Sequence, residues 1–127
     1  MELVSIVVAV ALLEYLTFGM LVGRARMKYD VQAPAVSGNE TFERYYRVQQ
    51  NTTEQLMIFL PAITIYGFYG NATYAAIAGL FFIVGRALYC RAYINDPASR
   101  GLGFMIGFVA NAFLLLGGLF VTIRNIL

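Results

Sequence analysis

Long apolar runs are the feature that most constrains how this chain can fold. Four of them reach or approach the roughly 20 residues that a helix needs to cross the hydrocarbon core of a bilayer. They cover approximately Leu3–Val22, Leu56–Tyr69, Ala72–Leu88 and Leu102–Ile123. The second run becomes long enough only if its helix begins near Phe42. Since lipid offers no partner to unpaired backbone groups, each run is predicted to be a helix.

Composition and spacing favour a single membrane domain. Of the 127 residues, 60% are hydrophobic and only 13% are charged, whereas a soluble domain is nearer a quarter charged. We therefore predict an all-α, integral membrane four-helix bundle with one domain over residues 1–127. The first run carries Glu14 and lacks a basic segment before it, so we do not expect a cleaved signal peptide.

Local signals mark where helices end and where they approach one another. The Asn95-Asp96-Pro97 turn is predicted to end the third helix, because the residue before a proline avoids helical angles. Gly103 and Gly107 form a G-x-x-x-G motif, which lets helices pack closely in lipid.

Basic residues concentrate near the first and third connections. Around the first lie Arg24, Arg26, Lys28, Arg44 and Arg47, and around the third lie Arg86, Arg91 and Arg100. The positive-inside rule then places both connections in the cytoplasm and both termini outside. The short chain favours a bacterial inner-membrane protein. The net charge of +2 is itself uninformative, and no nucleic-acid partner is predicted.

A polar face interrupts the start of the second apolar run. On a helix, Arg44, Arg47, Asn51 and Glu54 fall within about 80° of one another. Burying polar groups at membrane depth costs free energy unless they pair with one another or bind a ligand. Arginine can grip a carboxylate bidentately, and glutamate can accept an ammonium. The face therefore suits a small zwitterion with several carboxylates.

The third helix carries a second set of polar side chains. Arg86, Tyr89 and Tyr93 have i, i+3, i+7 spacing and share a face, and Arg100 follows the turn. Two phenols and an arginine can hold and polarise a thiol, because a nearby cation lowers a thiol pKa from about 8.5. Cys90 is predicted to be a buried, inert thiol, since the chain has no His to activate it.

Together, these motifs resemble a known family. They are R-x-x-R-x-x-x-N-x-x-E from Arg44, then Phe59-Leu60-Pro61, then R-x-x-Y-x-x-x-Y-x-x-D-P-x-x-R from Arg86. The chain is similar, from about Arg26 to its end, to the membrane-associated proteins of eicosanoid and glutathione metabolism (MAPEG). The resemblance implies a homotrimer of four-helix subunits, with glutathione bound between neighbouring subunits near the cytoplasmic face.

The resemblance also implies which residues bind glutathione. The ligands and contacts would be Arg47, Asn51, Glu54, Gln49, Tyr89, Tyr93 and Arg26. Arg100 matches the arginine that activates the sulfur. Met27 and Gln55 depart from the leukotriene-forming branch, which has an arginine and a tyrosine there. These departures argue against leukotriene synthesis but leave general glutathione transfer open.

The predicted function is conjugation of the glutathione thiolate to lipophilic electrophiles delivered by the bilayer, with reduction of lipid hydroperoxides as a further activity. No metal site is predicted. Two alternatives stay open. One is a non-catalytic, lipid-binding member of the family. The other is a small proton-coupled multidrug transporter that uses Glu14, which is otherwise predicted to pair with Asn111 or with an arginine of a neighbouring helix.

Overall fold

Four long helices joined by short connections make up the protein. The computed structural model describes all residues, Met1–Leu127. The helices are α1 (Glu2–Tyr29), α2 (Glu40–Tyr69), α3 (Ala72–Asn95) and α4 (Gly101–Ile126), with a short 3₁₀ turn over Pro97–Ser99. No strand is present, so the prediction of an all-α fold is confirmed.

Helix ends follow the local sequence signals. The side chains of Asn39 and Asn71 cap α2 and α3, because each accepts a hydrogen bond from the backbone N–H three residues on. Helix α1 ends at Tyr29 and is followed by Asp30, which adopts a left-handed conformation (φ 54°) that aspartate tolerates better than most residues. Helix α3 ends at Asn95, immediately before Asp96-Pro97, as predicted.

Three helices are long and apolar enough to cross a membrane, namely α1, α3 and the segment that contains α4. The prediction of four spans is thus confirmed for three. Helix α2 begins at Glu40 and has 30 residues, about 45 Å, so its length suffices. Its polar N-terminal half keeps it outside this class of apolar helices.

The core is small relative to the apolar content of the chain. Only 31 of 127 residues are buried, whereas 60% are hydrophobic, so most apolar side chains point outward. The largest cluster joins all four helices. At its centre the rings of Phe59 and Phe82 stack with centroids 4.0 Å apart. An apolar exterior around a modest core fits a lipid environment.

Glycines bring α3 and α4 into close contact. A Cβ atom added at Gly85 would lie 2.7 Å from the backbone nitrogen of Gly107 and 3.0 Å from the carbonyl oxygen of Gly103. The two helices can approach this closely only because these positions lack side chains. The close packing predicted from the G-x-x-x-G motif is therefore confirmed.

Both arginine-rich connections lie at the same end of the bundle. Arg44, near the start of α2, donates hydrogen bonds to the carbonyl oxygens of Ile94 (3.0 Å) and Asn95 (3.5 Å) at the end of α3. It also pairs with Glu40 at 2.9 Å. Arg44 therefore links the start of α2 to the end of α3. The other three residues of the predicted polar face, Arg47, Asn51 and Glu54, are available to a ligand.

Candidate functional site at the basic end of the bundle

The polar face of α2 carries three side chains without partners in the chain. Arg47, Asn51 and Glu54 take part in none of the side-chain hydrogen bonds or ion pairs that surround them. Arg47 and Glu54 are exposed. The Oδ1 atom of Asn51 is buried and has no hydrogen-bond partner. A cation, a buried acceptor and an anion therefore lie free along one face.

Tyr89 and Tyr93 form a stacked pair on α3, with ring centroids 5.6 Å apart. The guanidinium of Arg86 lies over the Tyr89 ring, 4.2 Å from its centroid. Nη2 of Arg86 also donates a 2.8 Å hydrogen bond to Oγ1 of Thr52 on α2. Arg86 is only 1% exposed, so it packs against the tyrosine pair from inside the bundle and is not available to a ligand.

Arg100 stands at the start of α4, next to the tyrosine pair. Its guanidinium carbon lies 6.0 Å from the centroid of the Tyr93 ring, and Nη1 donates to the carbonyl oxygen of Pro97 at 2.7 Å. The side chain is exposed. Its remaining N–H groups can therefore meet a ligand at the rim of the bundle, where the positive end of α4 also lies.

Packing links the two sets of residues. Val48, which follows Arg47 on α2, shares a buried cluster with Tyr89, and Tyr93 packs against this cluster. The α2 face and the tyrosine pair are thus close to each other within one subunit.

Gln49 and Arg26 occupy different surroundings. The side-chain amide of Gln49 lies against Gly19, where an added Cβ would come within 3.0 Å of Nε2. Arg26 holds the first connection, since Nη1 donates to the carbonyl oxygen of Ala35 at 2.7 Å. Its guanidinium carbon also lies over the Phe42 ring, 4.8 Å from the ring centroid. A ligand role for either residue stays a prediction.

The inner part of the bundle holds further polar groups. Asn111 on α4 donates to the backbone and side-chain oxygens of Gln55 at 3.3 and 3.2 Å. The predicted pairing of Glu14 with Asn111 is therefore wrong, because Gln55 takes the Asn111 amide. The Oε1 atom of Glu14 is buried and has no hydrogen-bond partner. Cys90 is buried, as predicted.

The sequence predicted that Arg86 shares a face with Tyr89 and Tyr93 but not that its side chain is buried. An arginine inside a 24-residue apolar helix was the available signal. The burial of that arginine and its bond to Thr52 depend on how α2 and α3 pack, which the spacing of residues on one helix does not reveal.

Comparison with known proteins identifies the family. A sequence model of the MAPEG family matches residues 4–120 of this chain. The chain belongs to the MAPEG family. This membership confirms the resemblance seen in the motifs and speaks against the multidrug-transporter alternative.

Several MAPEG relatives are similar over most of the chain. An uncharacterized protein of Synechocystis sp. is 43% identical, covering 91% of this chain and 84% of that protein. Microsomal glutathione S-transferase 2 of Homo sapiens is 41% identical, covering 80% of this chain and 69% of that protein. Leukotriene C4 synthase of Mus musculus is 33% identical, covering 77% of this chain and 65% of that protein. Two of these three relatives therefore carry the names of enzymes.

Proposed function

We propose that this MAPEG protein is a membrane glutathione transferase that conjugates glutathione to lipophilic electrophiles. The observation that carries the proposal is the free polar face of α2, where Arg47, Asn51 and Glu54 lack partners. Its identity to microsomal glutathione S-transferase 2 of Homo sapiens, 41% over 101 residues, supports the same activity.

The chemistry of the free groups fits glutathione. Arg47 can grip a carboxylate with two parallel N–H···O bonds, and Glu54 can accept the ammonium group. The orphaned Oδ1 of Asn51 needs a donor, which a peptide N–H supplies. A buried acceptor without a partner is costly, so ligand binding would relieve a penalty that the free protein carries.

Arg100 and the tyrosine pair suit activation of the sulfur. Glutathione supplies the thiol that acts as the nucleophile. A guanidinium favours the thiolate by lowering the thiol pKa, and the released proton goes to solvent. Tyr93, stacked between Tyr89 and Arg100, can orient the sulfur. In the transfer, a carbon–sulfur bond forms and the leaving group departs with its electron pair.

The same proposal includes a homotrimer in which glutathione binds between neighbouring subunits. Arg47 and Glu54 are exposed, so one subunit leaves the face open to a neighbour. Many large apolar side chains on α1 and α4 also point outward and are available for contact with lipid or with another copy. We further propose that the basic end of the bundle faces the cytoplasm. Reduction of lipid hydroperoxides stays a prediction.

The decisive experiment is conjugation of glutathione to chlorodinitrobenzene by the purified protein in detergent or nanodiscs. Arg47→Ala should weaken glutathione affinity about thirtyfold, because one charge-assisted contact is lost. Arg124→Ala, which removes an exposed arginine near the opposite end of α4, is the matched control and should leave affinity unchanged. Binding without turnover would favour the non-catalytic alternative, and absence of both would overturn the proposal.

A further inference from the structure

A fully buried cation lies inside the bundle. Arg86 is 1% exposed and is the largest of the fully buried side chains. A guanidinium keeps its charge in proteins, and a buried charge without compensation is strongly destabilising. Its hydrogen bond to the neutral hydroxyl of Thr52 supplies no negative charge, and its Nε has no hydrogen-bond partner. A carboxylate near this site would compensate the buried charge.

Glu14 supplies such a carboxylate from α1. Its Oε1 atom is buried without a hydrogen-bond partner, at a depth where a free carboxylate is expensive. Helices α1 and α3 run in the same direction, and Gly79 on α3 lies directly against Val7 on α1. Glu14 and Arg86 each follow these residues by seven positions, about two helical turns, so they lie at the same level of the bundle. Glu54 is exposed, so water screens its charge. No direct ion pair joins Glu14 and Arg86.

The buried cation is connected to the candidate site by stacked groups. The Arg86 guanidinium lies 4.2 Å from the Tyr89 ring centroid, and Tyr89 stacks on Tyr93. The Arg100 guanidinium lies 6.0 Å from the Tyr93 ring. Cation–π attraction strengthens when the cation is desolvated, so a shift of Arg86 would displace the tyrosine pair.

We propose that Glu14 is the buried counter-ion of Arg86 and, through it, a positioning residue for Tyr89 and Tyr93. The inference concerns the inner side of the site and assigns Glu14 no contact with substrate. Its consequence for turnover rests on the proposed transferase function, whereas the pairing itself does not.

The pairing is tested without glutathione by a double-mutant cycle. The variants are Glu14→Gln, Arg86→Gln and the double variant, with Glu2→Gln as the matched control, because Glu2 is an exposed carboxylate on the same helix. Each single variant should lower the thermal midpoint, and the double variant should lose less than the sum of the two. The near-UV circular dichroism of the tyrosines should change in Glu14→Gln and stay unchanged in Glu2→Gln.

Activity separates positioning from a general loss of stability. In Glu14→Gln, turnover should fall about tenfold while glutathione affinity changes less than about threefold, because the α2 grip is untouched. Glu14→Asp keeps the charge and should recover part of the turnover. If Glu14→Gln does not fold, recovery of folded protein in the double variant supports the pairing, and equal failure of both overturns it.

The outcomes distinguish this inference from the proposed function. If wild type conjugates glutathione while Glu14→Gln matches it in turnover and tyrosine spectrum, the inference is wrong and the function stands. If the double-mutant cycle and the tyrosine spectrum show coupling but wild type neither binds nor conjugates glutathione, the pairing stands and the function is wrong. Additive losses of stability in the double variant would overturn the counter-ion assignment.

Discussion

Replacing Asn51 with leucine should move stability and ligand affinity in opposite directions. The Oδ1 atom of Asn51 is buried without a partner in the free protein, and such an acceptor costs about 1–3 kcal/mol. Leucine has the same number of side-chain heavy atoms and the same γ-branching as asparagine but no polar atom, so Asn51→Leu removes that cost and the free protein should become more stable by about 1 kcal/mol. Because a ligand N–H loses its acceptor, affinity for glutathione should fall by about 2 kcal/mol, or roughly thirtyfold.

Two measurements check this prediction on the same preparation. Thermal unfolding in detergent reports the stability of the free protein, and calorimetric titration reports glutathione affinity. Asn125→Leu is the control, since Asn125 is exposed near the opposite end and donates only to the carbonyl oxygen of Tyr69. It should leave affinity unchanged. Wild-type affinity in folded Asn51→Leu, or a loss of stability, would refute the assignment of the orphaned oxygen to the ligand.

Three further predictions concern catalysis, topology and packing. Arg100→Ala should reduce turnover about a hundredfold but glutathione affinity only a few-fold. It should also raise the thiol pKa of bound glutathione, which thiolate absorbance measures. If the variant titrates like the wild type, Arg100 is only a membrane anchor. A cysteine at Gly38 should react only with reagents that reach the cytoplasm, and one at Asn71 with external reagents; the reverse would overturn the orientation. Gly85→Ala should lower stability by about 1–3 kcal/mol in thermal unfolding, because its Cβ would lie 2.7 Å from an α4 backbone nitrogen. Gly23 has open space around it, so Gly23→Ala should leave stability unchanged. Equal losses of stability in Gly85→Ala and Gly23→Ala would refute the close packing of α3 against α4.

The helices were predictable because their signals are local. Apolar runs located all four, and Asp96-Pro97 fixed the end of α3. The predicted runs were shorter than the helices: the first run ended at Val22, whereas α1 continues to Tyr29. Hydropathy measures the part of a helix that suits hydrocarbon. A helix also continues into the polar interface, where charged side chains do not stop it.

The candidate site was predictable only where its residues share one helix. Angular position on α2 predicted that Arg47, Asn51 and Glu54 share one face, and the structure leaves all three without hydrogen-bond partners. Their binding of a ligand stays a prediction. The same angle included Arg44, which instead bonds to the end of α3. Helical periodicity gives the direction of a side chain but not which neighbouring helix it meets. That information depends on tertiary packing.

The polarity of α2 explains why this helix alone fails to qualify as an apolar span. Thr52 faces inward and accepts the Arg86 hydrogen bond, whereas its neighbour Asn51 presents an oxygen without a partner. One turn of α2 thus serves both the interior and the candidate site. Such a helix is tolerated in a membrane only if other helices shield it, and α2 packs against all three others. Substitutions that made α2 a better apolar span would remove the groups that a ligand needs. We therefore expect its low hydropathy to be a requirement of function, supported by the lipid-compatible helices around it.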